Sequence, residues 1–365
     1  MPRQHGDWWY YSGVIHVHTT ESDGTKTLEE VAKIGEDCGC DFLLFADHMT
    51  LSNREAGKEG YHGRCLVLIG YEHNDVEDKN HFLVFDSPGV YPNEMNAYEY
   101  VAAARRDGAL GIMAHPDEVR DRMAQYPPYE WTDWSNDDVD GIELWNQMSE
   151  WMERLTKANR VVMIWSPRKS MYGPTERVFR KWDELNLQRK CVGIASADAH
   201  AFPVGLGPFT FRIFPYKTHF RTLRTHLILP EPLSTDLEVA RRQVYGALRD
   251  CRAFGSNIRW GDADAFEFYA TGSSSKAMIG GQLDEVDNTH LHIRLADPAD
   301  LKLVGNGRTI LETTSDHLDF AVEHPGIYRV EAWKKGRCWI FSNHIRIGSR
   351  SEIDSWMKAH ENRSS

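Results

Sequence analysis

The chain has 365 residues, of which 41% are hydrophobic and 26% charged, the balance of a soluble globular protein with room for one large domain and a smaller one. Its formal net charge of −12 argues against a duplex DNA or RNA partner, which needs a basic surface to meet the phosphate backbone. A small phosphorylated substrate stays possible, because bound metal cations invert the local charge of a site.

The cysteines (Cys38, Cys40, Cys65, Cys191, Cys251 and Cys338) form no CxxC pair, and a chain of this size needs no disulfide staples. Reduced thiols in a cytoplasmic protein are the expectation. The opening MPRQHGDWWYYSG lacks the basic and then apolar run of a signal peptide, and no segment has the length of a membrane span. No membrane partner is expected.

In chain order, short apolar runs recur beside residues able to bind metal. Runs without strict alternation are what strands buried on both faces look like. The first, Gly13-Val14-Ile15, leads into His16-Val17-His18. Residues two apart on a strand share a face, so both imidazoles would reach one ion. Asp23 follows in Ser22-Asp23-Gly24, where a turn is equally natural. Thr27-Leu28-Glu29-Glu30 reads as a capping box opening a helix to about Gly39. The second run, Asp41 to Ala46, is followed by Asp47 and His48; the third, Leu66 to Tyr71, by Glu72 and His73. His81 opens the fourth, Phe82 to Phe85. Asn96 is placed to cap a helix over Ala97 to Asp107 that stops at Gly108. The fifth run, Ala109 to Ala114, ends at His115, and Pro116 halts the strand. The sixth, Gly141 to Asn146, contains Glu143. Between Gln147 and Gln188 the pattern is harder to read, and Val161 to Trp165 fits either a strand or a helix. A last run, Cys191 to Ala195, leads to Asp198 and His200, again two apart.

Alternating strands and helices imply parallel strands with crossover helices. In a closed β/α barrel the strand ends all face one mouth, which would gather these distant residues into one site. After about Asn257 the texture changes to period-two strands such as Leu291 to Leu295 and Ile327 to Trp333, split by turns such as Gly305-Asn306-Gly307. That pattern predicts a small antiparallel β-sandwich. The expected division is a metal-binding barrel over residues 1–258, the sandwich over 259–348 and a short charged tail over 349–365. The sandwich is expected to pack on the barrel, to form a homo-oligomer contact or to rim the mouth.

Imidazole plus carboxylate suits Zn²⁺, Mn²⁺ or Fe²⁺ rather than Ca²⁺ or Mg²⁺. The candidates His16, His18, Asp23, His48, Glu72, His81, His115, Asp198 and His200 exceed the need of one tetrahedral ion, so a multinuclear site is predicted.

The stretches HVHTTESDGTKTLEEV, FLLFADH, LIGYEHN, HFLVFD, GIMAHP and SADAH, spanning residues 14–200, resemble the PHP superfamily, named for polymerase and histidinol phosphatase. The resemblance implies a distorted (β/α)₇ barrel holding two to three divalent ions (Mn, Zn or Fe). His16 and His18 would hold one ion with Glu72 and Asp198. Glu72 would bridge to a second, completed by His81 and His115, with His73 competing for the place of His81. Asp23, His48 and His200 would hold the third; many relatives have a His where Asp23 stands, which predicts a weaker or different third site.

The resemblance further implies hydrolysis of a small phosphorylated substrate, with a metal-bridging hydroxide as nucleophile. Asp47 is then expected either to orient a ligand histidine or to cap a helix or turn, and Glu143 to shuttle protons, to support a ligand or to serve the fold. Phosphate recognition wants basic residues near the mouth; Arg168, Lys169 and Arg177 are the candidates, with Lys181, Lys217 and Arg221 further ones. Diester and monoester chemistry are both open at this point. So are two other classes: a metal-dependent C–N or carboxylic-ester hydrolase, which a lack of basic residues at the mouth would favour, and a non-catalytic metal-binding module.

Overall fold

The computed structural model describes residues 3–361, apart from 124, 137, 207 and 208. Its first half contains strand β1 (Trp8–Val17), helix α1 (Leu28–Asp37), β2 (Phe42–His48), β3 (Cys65–His73), β4 (Phe82–Phe85), α2 (Ala97–Asp107), β5 (Leu110–Met113), β6 (Gly141–Asn146), α3 (Gln147–Arg154), α4 (Glu176–Gln188) and β7 (Val192–Ser196). The local signals act as expected. Thr27 and Glu30 form the reciprocal capping box of α1. Asn96 and Glu99 do the same for α2, which Gly108 ends in the left-handed conformation at φ +72°. Residues Arg160–Trp165 form a short helix rather than a strand.

Strands β1 to β7 pair in chain order. The segment after β7 then returns to β1: Ala197 N donates to Ile15 O at 3.0 Å, Ala199 N to His16 O at 3.2 Å and His18 N to Ala199 O at 3.1 Å. The expected all-parallel arrangement fails at one strand. β4 runs antiparallel to both β3 and β5. Only residues 74–81 separate it from β3, too few for a crossover helix, so the two strands form a hairpin. The reversal sets the start of β4 beside the end of β3, which is why His81, preceding its strand, meets Glu72, which follows most of its own.

The opposite strand ends carry apolar side chains. Tyr11, Phe42, Leu66, Phe85, Leu110 and Val192 share a core with Ala240, Val244, Ala247 and Leu248 of helix α5 (Leu237–Arg249), which follows β8 (Leu223–Leu229). Thus α5 fills the end remote from the histidines.

In the second half, β9 (Ala253–Asn257) pairs with β8, and β8 with β1. The period-two segments form β10 (Glu267–Thr271), β11 (His290–Gly305), β12 (Arg308–Ala321), β13 (Gly326–Lys334), β14 (Arg337–Ser342) and β15 (Ile345–Ile347), and the tail forms helix α6 (Arg350–Glu361). They enclose a core of their own around Phe266, Phe268, Ile293, Leu303 and Ile345. Hydrogen bonding does not stop at residue 258, because β9 also pairs with β14. Among the described residues the result is one 19-stranded mixed sheet, with the hairpin of residues 203–206 and 209–212 pairing apart from it.

A buried polar joint binds the halves. The guanidinium of Arg329 on β13 donates from Nε and Nη2 to the two carboxylate oxygens of Asp183 on α4 at 2.8 and 2.9 Å, and from Nη1 to Glu331 at 2.6 Å. Its charged plane also stacks on Phe179, 4.4 Å from the ring centre. Asn343 donates to Gly193 O at 2.9 Å and accepts from Gly193 N at 2.8 Å, clamping β7 itself. Burial would raise the Asp183 carboxyl, but Arg329 outweighs it and the pKa falls to about 2.

Asp183→Ala is expected to lower unfolding stability at neutral pH by about 3 kcal/mol in urea titrations, because it leaves two donors of a buried guanidinium unmet and Glu331 as its one carboxylate partner. In the native protein the carboxyl's depressed pKa adds stability above the ordinary carboxylate range, and this is lost as pH falls through about 2. An unchanged midpoint in the variant would mean that Arg329 reaches solvent.

Candidate metal centre

The site begins with a departure from strand regularity. Ile15 pairs with Leu44 but Val17 pairs with Phe45, so His16 is an extra residue, a bulge with φ +69°. Simple alternation therefore does not bring the HxH pair together. The bulge turns His16 inward and His18 lies just past the strand, with ring centres 5.0 Å apart. His115 (φ +32°) and Asp198 (φ +51°) are also held at positive φ. Such conformations are costly for residues other than glycine and cluster where side chains must be aimed.

Glu72 is the hub. Its Oε2 lies 3.0 Å from His16 Nε2, 3.3 Å from His18 Nε2 and 3.4 Å from His48 Nδ1. Its Oε1 lies 2.7 Å from His81 Nδ1 and 3.1 Å from His115 Nε2. Asp198 Oδ1 lies 3.6, 3.5 and 3.3 Å from His16, His18 and His200. Asp23 Oδ1 sits 3.1 Å from His200 Nε2, 3.6 Å from His18 Nδ1 and 3.8 Å from His48 Nε2. Three groups offer ligand atoms all within 4.8 Å of one another: His18, Asp23, His48 and His200; His16, His18 and Glu72; and His48, Glu72 and His81. The structure thus brings together all nine sequence candidates, with His18 and His48 standing between neighbouring groups.

The electrostatics match a cage built for cations. Burial disfavours charged imidazoles, yet the carboxylates Glu72, Glu143 and Asp198 raise His16 well above its ordinary pKa. His18 and His81, similarly buried, are lifted to about 9 and about 10 by their carboxylate neighbours. Conversely, Glu72 and Asp198 are buried, but the surrounding histidines, His16 foremost, hold both well below the carboxylate range. At His48 burial prevails and the pKa drops to about 4. Buried His18 Nε2, His81 Nε2 and His115 Nδ1 have no hydrogen-bond partner. His18 Nε2, without a hydrogen-bond partner but 3.3 Å from Glu72 and 3.5 Å from Asp198, is the clearest vacant donor, and a buried nitrogen–oxygen donor set of this kind fits divalent transition metals.

Of the roles open to Glu143, its contacts fit the support of a ligand: Oε1 accepts from His16 Nδ1 at 2.7 Å, and Oε2 accepts from His115 N and Asn146 Nδ2, both at 2.8 Å. Both oxygens are spent on fixing His16 and His115, which leaves His16 Nε2 to face Glu72. Among the described residues Asp47 has no direct hydrogen bond to a ligand histidine, and reaches His18 only through Ser22, whose Oγ lies 3.5 Å from His18 Nδ1. It accepts from Thr19 N at 2.6 Å, Thr19 Oγ1 at 2.7 Å and Ser22 Oγ at 2.7 Å, so it is a loop cap that holds the segment carrying Asp23. Gly24 lets that loop close, since a Cβ there would lie 2.6 Å from His18 O. His73 turns away to Tyr100, ring centres 4.3 Å apart, and His81 takes the place beside Glu72.

Above the cluster opens a cavity of about 560 Å³. Arg168, Lys169, Arg177, Lys181, Lys217 and Arg221 do not line it. Arg168 bonds the carbonyl of Arg221, Arg177 pairs with Asp117, Lys181 pairs with Glu184, and Lys169 lies in the turn Pro167–Ser170. These lie on exposed helix faces or in turns, where solvation is enough to explain a charge. Arg120 is the one Lys or Arg among the described lining residues, stacked 5.0 Å over Tyr129 and paired with Glu118. Sequence reasoning missed it, together with Asn74 and Asp78 at the rim; all three sit in the loops directly after strands that end in a candidate ligand, which was the available signal.

What fold and site define is a mixed α/β protein with a buried histidine–carboxylate centre suited to divalent metals. No family model and no curated protein matches the chain. Among solved structures it is similar to a two-domain protein of Bacteroides vulgatus ATCC 8482 containing a predicted PHP-like metal-dependent phosphoesterase. That match has 13% identity, covers 94% of this chain and 97% of the other, and has a TM-score of 0.47. It is also similar to a protein of Bifidobacterium adolescentis ATCC 15703, provisionally described as a metal-dependent phosphoesterase, at 17% identity over 54% of this chain and 91% of the other, with a TM-score of 0.33. Among the described residues no helix is long and apolar enough to cross a membrane.

Glu143→Gln is expected to leave the fold intact and to weaken metal binding by roughly tenfold or more, read by competition with a fluorescent chelator. Unchanged affinity would show that the aim of His16 does not depend on this contact.

Proposed function

We propose that this protein is a metal-dependent phosphoesterase of the PHP type, acting on a small phosphorylated molecule in the cytoplasm. The observation that carries the reading is Glu72, whose two oxygens face two separate sets of histidines at the floor of an open cavity. In this reading β1 to β7 form the distorted (β/α)₇ barrel, residues 1–258 are the metal-binding unit, and residues 259–348 are a sandwich-like support. His16, His18, Glu72 and Asp198 would hold one ion; Glu72, His81 and His115 a second; Asp23, His48 and His200 a third, with Mn, Zn or Fe as the metals.

Bound divalent ions would supply an activated water near neutral pH and positive charge for the phosphoryl oxygens. The chain's own groups do the rest. Glu143 fixes the His16 ring and the backbone N–H of His115. Arg120, at the wall, is placed to bind a phosphate oxygen, and its planar fork suits that task.

A second reading has one observation in its favour. Because Arg120 is the one Lys or Arg among the described lining residues, the cavity also suits a neutral amide or carboxylic ester. Kinetics separate the two. With Mn²⁺ added, p-nitrophenyl phosphate or bis(p-nitrophenyl) phosphate should be hydrolysed, and His16→Ala should reduce turnover at least a hundredfold. Hydrolysis of p-nitrophenyl acetate alone would favour the second reading.

Arg120→Met is expected to raise KM for the phosphate ester by roughly tenfold with a smaller change in kcat, as for loss of a ground-state contact. An unaltered KM would remove Arg120 from the binding role.

A further inference from the structure

The cavity has two unlike walls. One is the histidine–carboxylate centre with Asn74, Asp78 and Arg120. The other comes largely from one helix. Met148, Trp151 and Met152 of α3, with Leu155 just beyond it, stand at positions i, i+3, i+4 and i+7, a single apolar stripe that lines the cavity. Phe202 and Ile213, flanking the separate hairpin, extend that wall.

Core packing accounts for part of the stripe. Trp151 lies with its ring centre 5.7 Å from that of Phe214, and its Nε1 donates to Met163 O at 3.2 Å. Packing does not account for the cavity in front of it, whose volume of about 560 Å³ is far larger than a phosphate group needs. The charge balance narrows the occupant further. Asp23 and Asp78 are carboxylates on the lining, and Arg120, the one Lys or Arg among the described lining residues, already pairs with Glu118. A second anionic group reaching from the centre toward the stripe would meet apolar side chains and no counter-charge, at a desolvation cost that nothing offsets.

Resting on the phosphoesterase reading, we propose that the substrate is a phosphate ester whose organic part is apolar, bulky enough to carry a ring, and free of a second anionic group. The phosphate lies at the histidine–carboxylate centre, and the organic group lies along Met148, Met152 and Leu155. Sugars bearing several phosphates and phosphorylated carboxylic acids are excluded by the same wall.

The test uses unreactive probes on the full chain loaded with Mn²⁺. Calorimetry should give phenylphosphonate a Kd roughly tenfold or more below those of methylphosphonate and 3-phosphonopropanoate, the scale at which apolar pockets discriminate. Met152→Asn, at a partly exposed position that tolerates change, should shrink the phenyl preference to about twofold while methylphosphonate binding is kept. Leu155→Asn should do the same from the far end of the stripe. Equal binding of the probes, tighter binding of 3-phosphonopropanoate, or a phenyl preference untouched in both variants would overturn the proposal. Phenyl phosphate turnover in the same preparation tests the other question. A phenyl preference without turnover would leave the ligand class standing and defeat the phosphoesterase reading instead.

Discussion

A buried carboxylate with histidines at both of its oxygens is the constraint on which the rest of the structure turns. Glu72 is 1% exposed, and a carboxylate taken out of water is tolerated only where positive charge or strong donors meet both oxygens. His16, His18 and His48 serve one oxygen, His81 and His115 the other. In a metal-free cage the imidazoles must carry that charge as protons, which is why His16, His18 and His81 are all displaced upward despite their burial. Divalent ions between the same atoms satisfy Glu72 without protonating its neighbours, and the cage is better explained as built for them.

The backbone bends to serve this arrangement. A bulge at His16, positive φ at His115 and Asp198, and the reversed strand β4 each give up regularity at the mouth. The far end has no such irregular duty: α5 fills it with alanine, valine and leucine. The second half of the chain stiffens the wall that bears Asp198, through Asn343 on β7 and through the Arg329–Asp183 pair on α4. Local strain at a site persists only when its surroundings over-determine it, and these clamps lie close by in the fold.

Much of this was legible in the residues. The ligand set shows as a His, Asp or Glu beside each apolar run, because strand ends gather at one mouth and strand length is fixed by burial. The capping boxes at Thr27 and Asn96 placed α1 and α2 to within a residue or two. What the pattern hid has physical causes. Period alone carries no strand direction, so the reversal of β4 was invisible even though the short loop before it implied a hairpin. A carboxylate's partners are set in three dimensions, so the sequence left alternatives open for Asp47 and Glu143: Asp47 caps a loop, and Glu143 holds the His16 ring and the His115 backbone. Basic residues are mostly surface groups, which is why Arg168, Lys169 and Arg177 stand away from the cavity lining and Arg120, half-buried in a loop beside Glu118, drew no notice. The i, i+3, i+4, i+7 stripe of α3 was written in the chain, but between Gln147 and Gln188 short helices interrupt the periodicity that would have revealed it.

In the proposed reading Glu72 would join two divalent ions, and metal content measures this most directly. Elemental analysis of the purified chain, equilibrated with Mn²⁺ or Zn²⁺ and freed of excess, should find at least two equivalents of metal per chain, and Glu72→Gln, with its fold checked by circular dichroism, should retain at most one. A native chain that holds no metal under these conditions, or a folded Glu72→Gln variant with full occupancy, would contradict the account.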